Sequence, residues 1–460
     1  MTVKDKKAED VKIAYIGGGS RGWAWGLMSD LASEPNMSGT VTLYDIDHQA
    51  AKDNQEIGNR IAQNLDAKSV WKYEYKPTLQ DALTGADFVV ISILPGTFEE
   101  MLSDVNTPKE YGIYQPVGDT VGPGGLVRAL RTVPMYVEIA NAIKAFCPNA
   151  WVINYTNPMT VCTQTLFTVF PQIKAIGCCH EVFGSQRLLA TAANQVLGLD
   201  IKRQDIKVDV VGINHFTFVT KATYDNIDLF PVMEKFVDLH YETGFNKDAH
   251  TRDYEFFDNY HRVQFDLFRR YGVVGTADRH SSEFCPKGWY LNDPQTIAHW
   301  KVGLTPVEYR RDIDLKDRME KSAKLLSGED KFEIDQTGEE GVPIMKAVLG
   351  LGDFVTNCNY INKGQMPQFP LGSVVETNVL LSCDNISPII SGDMPGELAG
   401  LNLTHVYNQK MIIQAAMNGD YNLAFNTFIN DPLVDLKLCD SRKLFDKMIA
   451  NTIEYLPYWN

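Results

Sequence analysis

The segment AIGCCHEVFG, residues 175–184, brings together side chains that can bind a metal or move a proton. Cys178, Cys179 and His180 follow a short apolar run, and a thiolate beside an imidazole suits zinc or a manganese-like divalent ion. The alternative is that both cysteines only pack, since free cysteine is among the most buried residue types. Because side chains alternate along a strand, neighbouring cysteines cannot easily bind one ion. We therefore expect Cys178 to point into the core and Cys179 to face a cleft.

Two further segments offer partners for such a site. His215 lies in GINHFTF after a predicted strand, where a single histidine is more often structural than a metal ligand. The segment 271–284, YGVVGTADRHSSEF, contains Asp278, Arg279, His280 and Glu283. It offers a base, a cation for a substrate anion and a carboxylate, although a solvated loop is the plainer interpretation.

A glycine-rich segment near the start has the spacing of a dinucleotide site. GGGSRG places Gly17, Gly19 and Gly22 after a predicted strand and before a predicted helix. Glycines there let backbone N–H groups approach a pyrophosphate at the helix N-terminus. Asp45, 23 positions beyond the third glycine, can bind an adenosine ribose and favours NAD over NADP, with Asp47 as the alternate ligand. A tight turn that binds no nucleotide remains the alternative.

Two more polar segments are candidates for substrate contacts. Four glycines and two prolines in YQPVGDTVGPGGLVRALR, residues 114–131, predict a long active-site loop rather than a helix, with Asp119 at its turn. Asn157, in NYTNPMT, follows a predicted strand at the sheet edge where ligands bind. Asp119 could equally cap the turn, and Asn157 could equally start a helix.

These side chains need a sheet to position them. Apolar runs at 11–16, 40–45, 87–92, 151–156 and 173–179 predict strands that alternate with helices. Strands that are apolar on both faces indicate a mostly parallel sheet covered on both sides. We therefore predict an α/β fold with a sheet domain over residues 1–200. A second, mixed α/β domain follows over residues 201–460, with the cleft between the two.

Composition limits the classes of function. A chain of 460 residues with 44% hydrophobic and 22% charged residues is typical of a globular protein with two or three domains. The net charge of −15 argues against a nucleic-acid partner. No signal-peptide pattern and no apolar run of about 18 residues is present, so we expect no membrane partner and a cytoplasmic location, with the eight cysteines reduced.

The ordered set of motifs resembles a known family along nearly the whole chain. GGGSRG, GDTVGPGG, NYTNP, CHEV, GINH and NKGQMPQFPLGSVVE occur in the order found in the NAD- and divalent-metal-dependent glycoside hydrolases of family four. The resemblance implies a Rossmann-like domain related to malate and lactate dehydrogenases, with a second mixed α/β domain. It also implies NAD and manganese, or another divalent metal, as cofactors.

The same resemblance implies an unusual route for hydrolysis. NAD⁺ accepts hydride from C3 of the sugar, which acidifies the C2 proton, and the metal stabilises the enediolate as a Lewis acid. A base then removes the C2 proton, the glycosidic oxygen leaves, water adds at C1 and NADH restores C3. Family four is an exception to the rule of two catalytic carboxylates, so no carboxylate pair is required.

The resemblance also assigns roles to individual residues. Cys179 and His215 match the metal ligands, and Asn157 matches a substrate-binding asparagine. His180 falls where members place a candidate general acid, and Asp278 where they place a tyrosine or aspartate base. Contact with the sugar is expected from Asp119.

The motif CHEV at 179–182 resembles the subgroup that acts on α-galacturonides from pectin fragments. A galacturonate carboxylate needs a cation, which Arg279, His280 or Arg128 can supply. Neutral α-galactosides or α-glucosides and α-glucuronides are rival substrates. A 2-hydroxy-acid dehydrogenase and a catalytically silent NAD-binding sensor are rival functions, and a homodimer or homotetramer is expected.

Overall fold

The computed structural model describes residues 1–246, 256 and 258–459. Its strands are β1 Thr2–Lys4, β2 Lys7–Ile16, β3 Met37–Tyr44, β4 Trp71–Tyr75, β5 Phe88–Ile91, β6 Trp151–Asn154, β7 Lys174–Gly177, β8 Lys207–Ile213, β9 Phe216–Tyr224, β10 Ile227–Asp228, β11 Val274–Gly275, β12 Phe354–Ile361, β13 Val374–Ser382 and β14 Asn385–Pro388.

The helices alternate with the strands in the first half and dominate the second. They are α1 Trp23–Ala32, α2 His48–Ile61, α3 Leu79–Leu83, α4 Phe98–Asn106, α5 Gly122–Phe146, α6 Met159–Val169, α7 Glu181–Leu197, α8 Phe230–His240, α9 Arg262–Tyr271, α10 Asp278–Phe284, α11 Lys287–Tyr290, α12 Pro294–Trp300, α13 Val307–Tyr309, α14 Leu315–Ser327, α15 Gly341–Val348, α16 Gly396–Asn418, α17 Tyr421–Ile429 and α18 Leu438–Thr452. None of the described helices is long and apolar enough to cross a membrane.

The central sheet confirms the predicted Rossmann-like α/β class. Its strands follow the order β14-β13-β12-β7-β6-β5-β2-β3-β4, with β1 beside β2. The pairs from β7 to β4 are parallel. All residues of β5 and β6 are buried, so both faces of the sheet are covered. The predicted apolar runs are β2, β3, β5, β6 and β7, whereas β4 was missed because its WKYEY sequence is polar.

The second half of the chain extends this sheet. β12 pairs antiparallel with β7, and β13 and β14 continue the sheet outward. A smaller antiparallel sheet contains β8, β9, β10 and β11. The large sheet thus combines residues from both sides of position 200, and the domain boundary there stays a prediction.

The expectation of a loop throughout residues 114–131 is wrong from Gly122 onward, where α5 begins. Pro123 occupies the first turn, where a missing N–H costs no hydrogen bond. A Cβ on Gly124 would lie 2.6 Å from the Asp104 carbonyl oxygen, and one on Gly125 would lie 2.3 Å from the Thr120 carbonyl carbon. The glycines therefore let the first turn of α5 pack tightly against the loop that carries Asp119.

Candidate functional site

The candidate residues of the first half gather at the carboxyl ends of the parallel strands. The glycine loop follows β2, Asn157 follows β6, and Cys179 and His180 follow β7. In an open α/β sheet this edge is where ligands bind.

The glycine loop packs too closely to accept side chains. Gly17 has φ +92, and a Cβ there would lie 1.9 Å from the Ser92 carbonyl oxygen. The Gly19 N–H donates to Oδ2 of Asp45 at 2.8 Å, which places that carboxylate against the loop. Asp47, the alternate ribose ligand, instead caps α2 by accepting from Ala50 N–H at 3.0 Å.

Asp119, His215 and His280 form a compact group whose candidate ligand atoms all lie within 4.8 Å of one another. His215 lies in the turn between β8 and β9 with φ 68, and its ring stacks on His280 with centroids 3.7 Å apart. Nδ1 of His215 lies 2.8 Å from Oγ1 of Thr120 and 3.9 Å from Oδ1 of Asp119. Nδ1 of His280 lies 3.2 Å from Oε1 of Glu181. Three residues that are far apart in the sequence thus converge on one point.

Asn157 borders this group. Its Nδ2 donates to Oδ2 of Asp119 at 3.1 Å, and its carbonyl oxygen accepts from Nε of Arg128 at 3.1 Å. Its Oδ1 is buried without a hydrogen-bond partner among the described residues.

The two cysteines differ in burial as predicted, although both lie beyond the end of β7 at Gly177, so strand alternation is not the cause. Cys178 is buried in the main hydrophobic core, while Cys179 is partly exposed. Cys179 is not part of the group of Asp119, His215 and His280. Burial, with Glu376 and Glu181 nearby, raises the pKa of its thiol well above the usual value. Its role as a metal ligand stays a prediction.

His180 lies at the rim, half exposed at the N-terminus of α7. Its Nδ1 is 3.1 Å from Oε1 of Glu339, and its ring stacks on Trp23 with centroids 6.0 Å apart. The Glu339 hydrogen bond raises the pKa of His180, which favours the protonated form that a general acid needs.

Asp278 begins α10 and points at the start of α9. Its Oδ1 accepts from the Gln264 N–H at 2.9 Å, while Oδ2 is buried without a partner among the described residues. Burial raises the pKa of this carboxyl to about 7. This environment suits a base, but the contact also stabilises α9, so its catalytic role stays a prediction.

Arg279 braces the loops around the site. Its Nε donates to the Gly303 carbonyl at 3.0 Å, and its Nη2 donates to the Pro116 carbonyl at 2.9 Å and to Oγ1 of Thr305 at 2.5 Å. These contacts hold the loop that precedes Asp119 in place. The binding of a substrate anion by Arg279 stays a prediction.

Comparison with known proteins identifies the family. Residues 12–195 match the model described as family 4 glycosyl hydrolase, and residues 210–434 match its C-terminal domain. An alpha-galacturonidase of Thermoanaerobacterium saccharolyticum is 56% identical over 100% of this chain and 99% of its own length. The chain belongs to glycosyl hydrolase family 4.

Other family 4 members extend the comparison. The Bacillus subtilis alpha-galacturonidase is 47% identical over 96% of this chain and 97% of its own length. A Bacillus subtilis crystal structure described as a glucosidase superimposes with a TM-score of 0.91 at 47% identity, over 96% of this chain and 100% of that one. A 6-phospho-alpha-glucosidase from gut microorganisms, in complex with NAD and Mn²⁺, shares the fold with a TM-score of 0.81 at 20% identity, over 97% of this chain and 99% of that one. This protein is thus a glycosidase with the family 4 fold.

Neighbouring groups in this candidate site carry opposite charges that shift one another's pKa values. Burial alone would raise the pKa of Asp119, but His215, His280 and Arg128 outweigh it and lower the value to about 2. Burial, assisted by His280, lowers the pKa of His215 to about 3. Asp119 is therefore ionised and His215 neutral at pH 7, which are the forms that bind a metal.

Sequence reasoning missed three residues that border the candidate site. Glu181 begins α7, two positions after Cys179, and contacts His280. Its place just beyond a strand end is the sequence signal that could have identified it as a candidate. Trp23, the first residue of α1, stacks against His180 and Tyr155. Arg310 lies in a π-helical turn at Arg310–Asp314, and its positive charge interacts with the negative charge of Asp119. No local sequence pattern predicts this interaction.

Proposed function

We propose that this protein hydrolyses α-galacturonides, such as short pectin-derived oligosaccharides, with NAD⁺ and a divalent metal, Mn²⁺, as cofactors. The observation that carries the proposal is the 56% identity to an alpha-galacturonidase over the full length of both chains. Three further proteins with that name are 47–54% identical over at least 96% of this chain, whereas the alpha-galactosidase of Bacillus subtilis is 27% identical.

The glycine loop fits NAD. A Cβ at Gly17 would meet backbone, and α1 begins directly after Gly22 with no acidic residue in its first turn. Oγ of Ser20 accepts from the Trp23 N–H at 3.1 Å, but the N-cap residue Gly22 has no side chain to cap the later N–H groups. That end of the helix therefore offers its N–H groups to a pyrophosphate. Asp45 stands at the end of β3, where its carboxylate can accept hydrogen bonds from the adenosine ribose.

The group of Asp119, His215 and His280 fits a divalent metal. Nδ1 of His215 is fixed by Thr120 and Nδ1 of His280 by Glu181, so Nε2 of each ring is left to bind an ion. Nε2 of His280 is buried and lacks a hydrogen-bond partner among the described residues. A metal ligand supplies such a partner. Together with the predicted ligand Cys179, these residues would hold the ion.

When bound, NAD⁺ and the metal supply hydride acceptance at the sugar C3 and Lewis-acid polarisation of the sugar oxygens. The residues of the chain supply the remaining functions. Asn157, held by Asp119 and Arg128, has an amide oxygen that can accept a hydrogen bond from a sugar hydroxyl. Asp278 and His180 are the proposed base and acid, and the pKa of each is raised.

A galacturonate carboxylate requires positive charge in the same cleft. Arg128 and Arg310 both face Asp119, and Arg310 also lies near Arg279. Burial lowers the pKa of each of these three arginines, yet all remain charged at pH 7. These buried cations support a substrate that is itself an anion.

The test is hydrolysis in D₂O of a matched panel: α-linked digalacturonate, galactoside, glucoside and glucuronide, each with NAD⁺ and Mn²⁺. We expect digalacturonate to be the preferred substrate and its product to carry deuterium at C2. Activity should be lost when NAD⁺ or Mn²⁺ is omitted.

Each arm of this experiment has its own contrary result. Preference for a neutral sugar would overturn the substrate assignment while leaving the route intact. Product without deuterium at C2 would overturn the elimination route. Stoichiometric accumulation of NADH without glycosidic cleavage would favour a dehydrogenase.

A further inference from the structure

A segment of the second half is bound along the helices that flank the glycine loop. We call residues 306–340 the strap; it contains α13, the π-helical turn, α14 and an extended tail. Oγ of Ser29 in α1 donates to the Asp335 carbonyl at 2.6 Å and accepts from the Asp335 N–H at 2.8 Å. Nη1 of Arg60 in α2 donates to the Leu325 carbonyl at 2.6 Å. The strap is thus anchored to both helices, and its position relative to the glycine loop is fixed.

These anchors bring one cation of the strap directly over the loop. A Cβ on Gly22 would lie 2.4 Å from Nη1 of Arg318. Gly22 has φ −148 and ψ −73, a combination outside the main allowed regions for residues with a side chain, so the backbone itself favours glycine here. The absence of a side chain at Gly22 also leaves room for the Arg318 guanidinium, which approaches the backbone just before α1.

Arg318 is held by a partner that an anionic ligand can outcompete. Its Nε donates to Oδ1 of Asp314 at 3.2 Å, and its Nη2 lies 3.1 Å from Oδ2 of the same carboxylate. Both side chains are nearly half exposed, and exposed i,i+4 ion pairs of this kind contribute little. Arg310 on the strap carries a charge that interacts with Arg318. Arg21 lies on the glycine loop, and its partner Asp53 is 4.0 Å away.

We propose that Arg318 is a cofactor-binding residue whose guanidinium binds the NAD pyrophosphate at the N-terminus of α1. The strap would then form the wall of the cofactor site opposite the glycine loop. A planar fork of N–H donors matches two phosphate oxygens, and an arginine–phosphate pair is stronger than an exposed arginine–carboxylate pair. This inference rests on the NAD dependence in the proposed function and not on the identity of the sugar.

The test is calorimetric titration, without metal or sugar, of NAD⁺, ADP and adenosine into the wild-type protein and its variants. We expect Arg318→Met to weaken NAD⁺ and ADP binding about 10- to 100-fold and to leave adenosine binding unchanged, because adenosine has no phosphate. Arg318→Lys should lose less than Arg318→Met. Asp314→Asn, which releases the cation, should tighten NAD⁺ binding. Arg311→Met is the matched control, since Arg311 lies on the same strap and pairs with Glu99 and Asp312.

The outcomes separate this inference from the function on which it rests. Wild-type protein that binds NAD⁺, with Arg318→Met binding it equally well, would overturn the role of Arg318 alone. An equal loss of adenosine and ADP binding would also overturn it, because that result indicates a displaced strap. Wild-type protein that fails to bind NAD⁺ would overturn the proposed function and this inference together.

Discussion

At the scale of single residues, the stacked histidines show how neighbouring groups set the protonation state of a candidate metal ligand. His215 and His280 lie with ring centroids 3.7 Å apart, and each has its Nδ1 held by a different partner. Two protonated rings at that distance would repel each other, and the pKa of His215 is lowered to about 3 by burial first and His280 second. The His215 ring therefore stays neutral and available as a ligand at pH values well above 3.

Replacing the predicted metal cysteine tests the ligand assignment directly. Cys179→Ser should lower Mn²⁺-dependent kcat/KM at least about 100-fold, because a hydroxyl is a poor substitute for a thiolate ligand. Thermal unfolding in EDTA should be unchanged, which would show that the variant folds. Cys439→Ser, at an exposed cysteine, is the control. A fully active Cys179→Ser enzyme would mean that Asp119, His215 and His280 bind the metal without the thiol.

Arg310 provides the test of substrate charge. Arg310→Met should reduce kcat/KM for digalacturonate about 10- to 100-fold, since a hydrogen bond to a charged group is lost. The value for a neutral α-galactoside should change little. The quantity measured is the ratio of the two kcat/KM values, with Arg311→Met as the neighbouring control. Equal losses on both sugars would assign Arg310 to holding the site together rather than to recognising the carboxylate.

At the scale of elements, sequence patterns predicted the five parallel strands that contain a short apolar run and missed β4, in which aromatic and charged residues alternate. They failed at the start of α5, where Gly122, Pro123, Gly124 and Gly125 resemble a loop. Glycine and proline indicate only the local conformational preference of the backbone. Whether this segment forms a helix is decided by its contact with the backbone of Asp104 and Thr120. The same limit explains why Arg310 and Thr120 were missed as neighbours of Asp119 and His215, since their contacts depend on how distant elements pack.

The packing of α5 gives a prediction with a matched control. Gly125→Ala should lower the free energy of unfolding by about 1–3 kcal/mol, because its Cβ would overlap Thr120, and should lower kcat/KM by moving Asp119. Gly184→Ala, in α7, has no atom within 4 Å of the new Cβ and should stabilise by about 0.5–1 kcal/mol. Urea unfolding measures the free energy of unfolding of both variants. A Gly125→Ala protein as stable as wild type would show that the Thr120 loop yields easily.

At the scale of the whole molecule, a buried carboxyl should make stability depend on pH. Glu283 accepts the N–H groups of Val117 and Gly118 on Oε1, while Oε2 is buried without a partner among the described residues. Burial raises its pKa from 4.5 to about 7. Between those two pH values the folded chain holds a proton that the unfolded chain has released. Stability contributed by this group is therefore complete below about pH 4.5 and declines as the pH rises to 7.

Glu283→Gln removes that titration while keeping an acceptor for both N–H groups. Relative to this variant, wild-type protein should lose on the order of 3 kcal/mol of unfolding free energy between pH 5 and pH 8. Urea unfolding in EDTA at the two pH values measures the difference. Parallel pH profiles for the two proteins would show that Glu283 ionises normally in the folded state.

The pairing of β7 with β12 has a consequence for synthesis. Asn359 of β12 lies opposite Gly177, the last residue of β7, so this end of β7 is paired by a strand that begins only at Phe354. A ribosome adding about 5–20 residues per second needs roughly 10–35 s to make the intervening chain. Throughout that interval the backbone groups of Gly177 that β12 later pairs stay open at the edge of a nascent sheet of β2 to β7, and an open strand edge is a template on which strands of other chains aggregate. Producing the first 200 residues alone should therefore yield insoluble protein, and chaperone demand should be greatest before β12 leaves the ribosome.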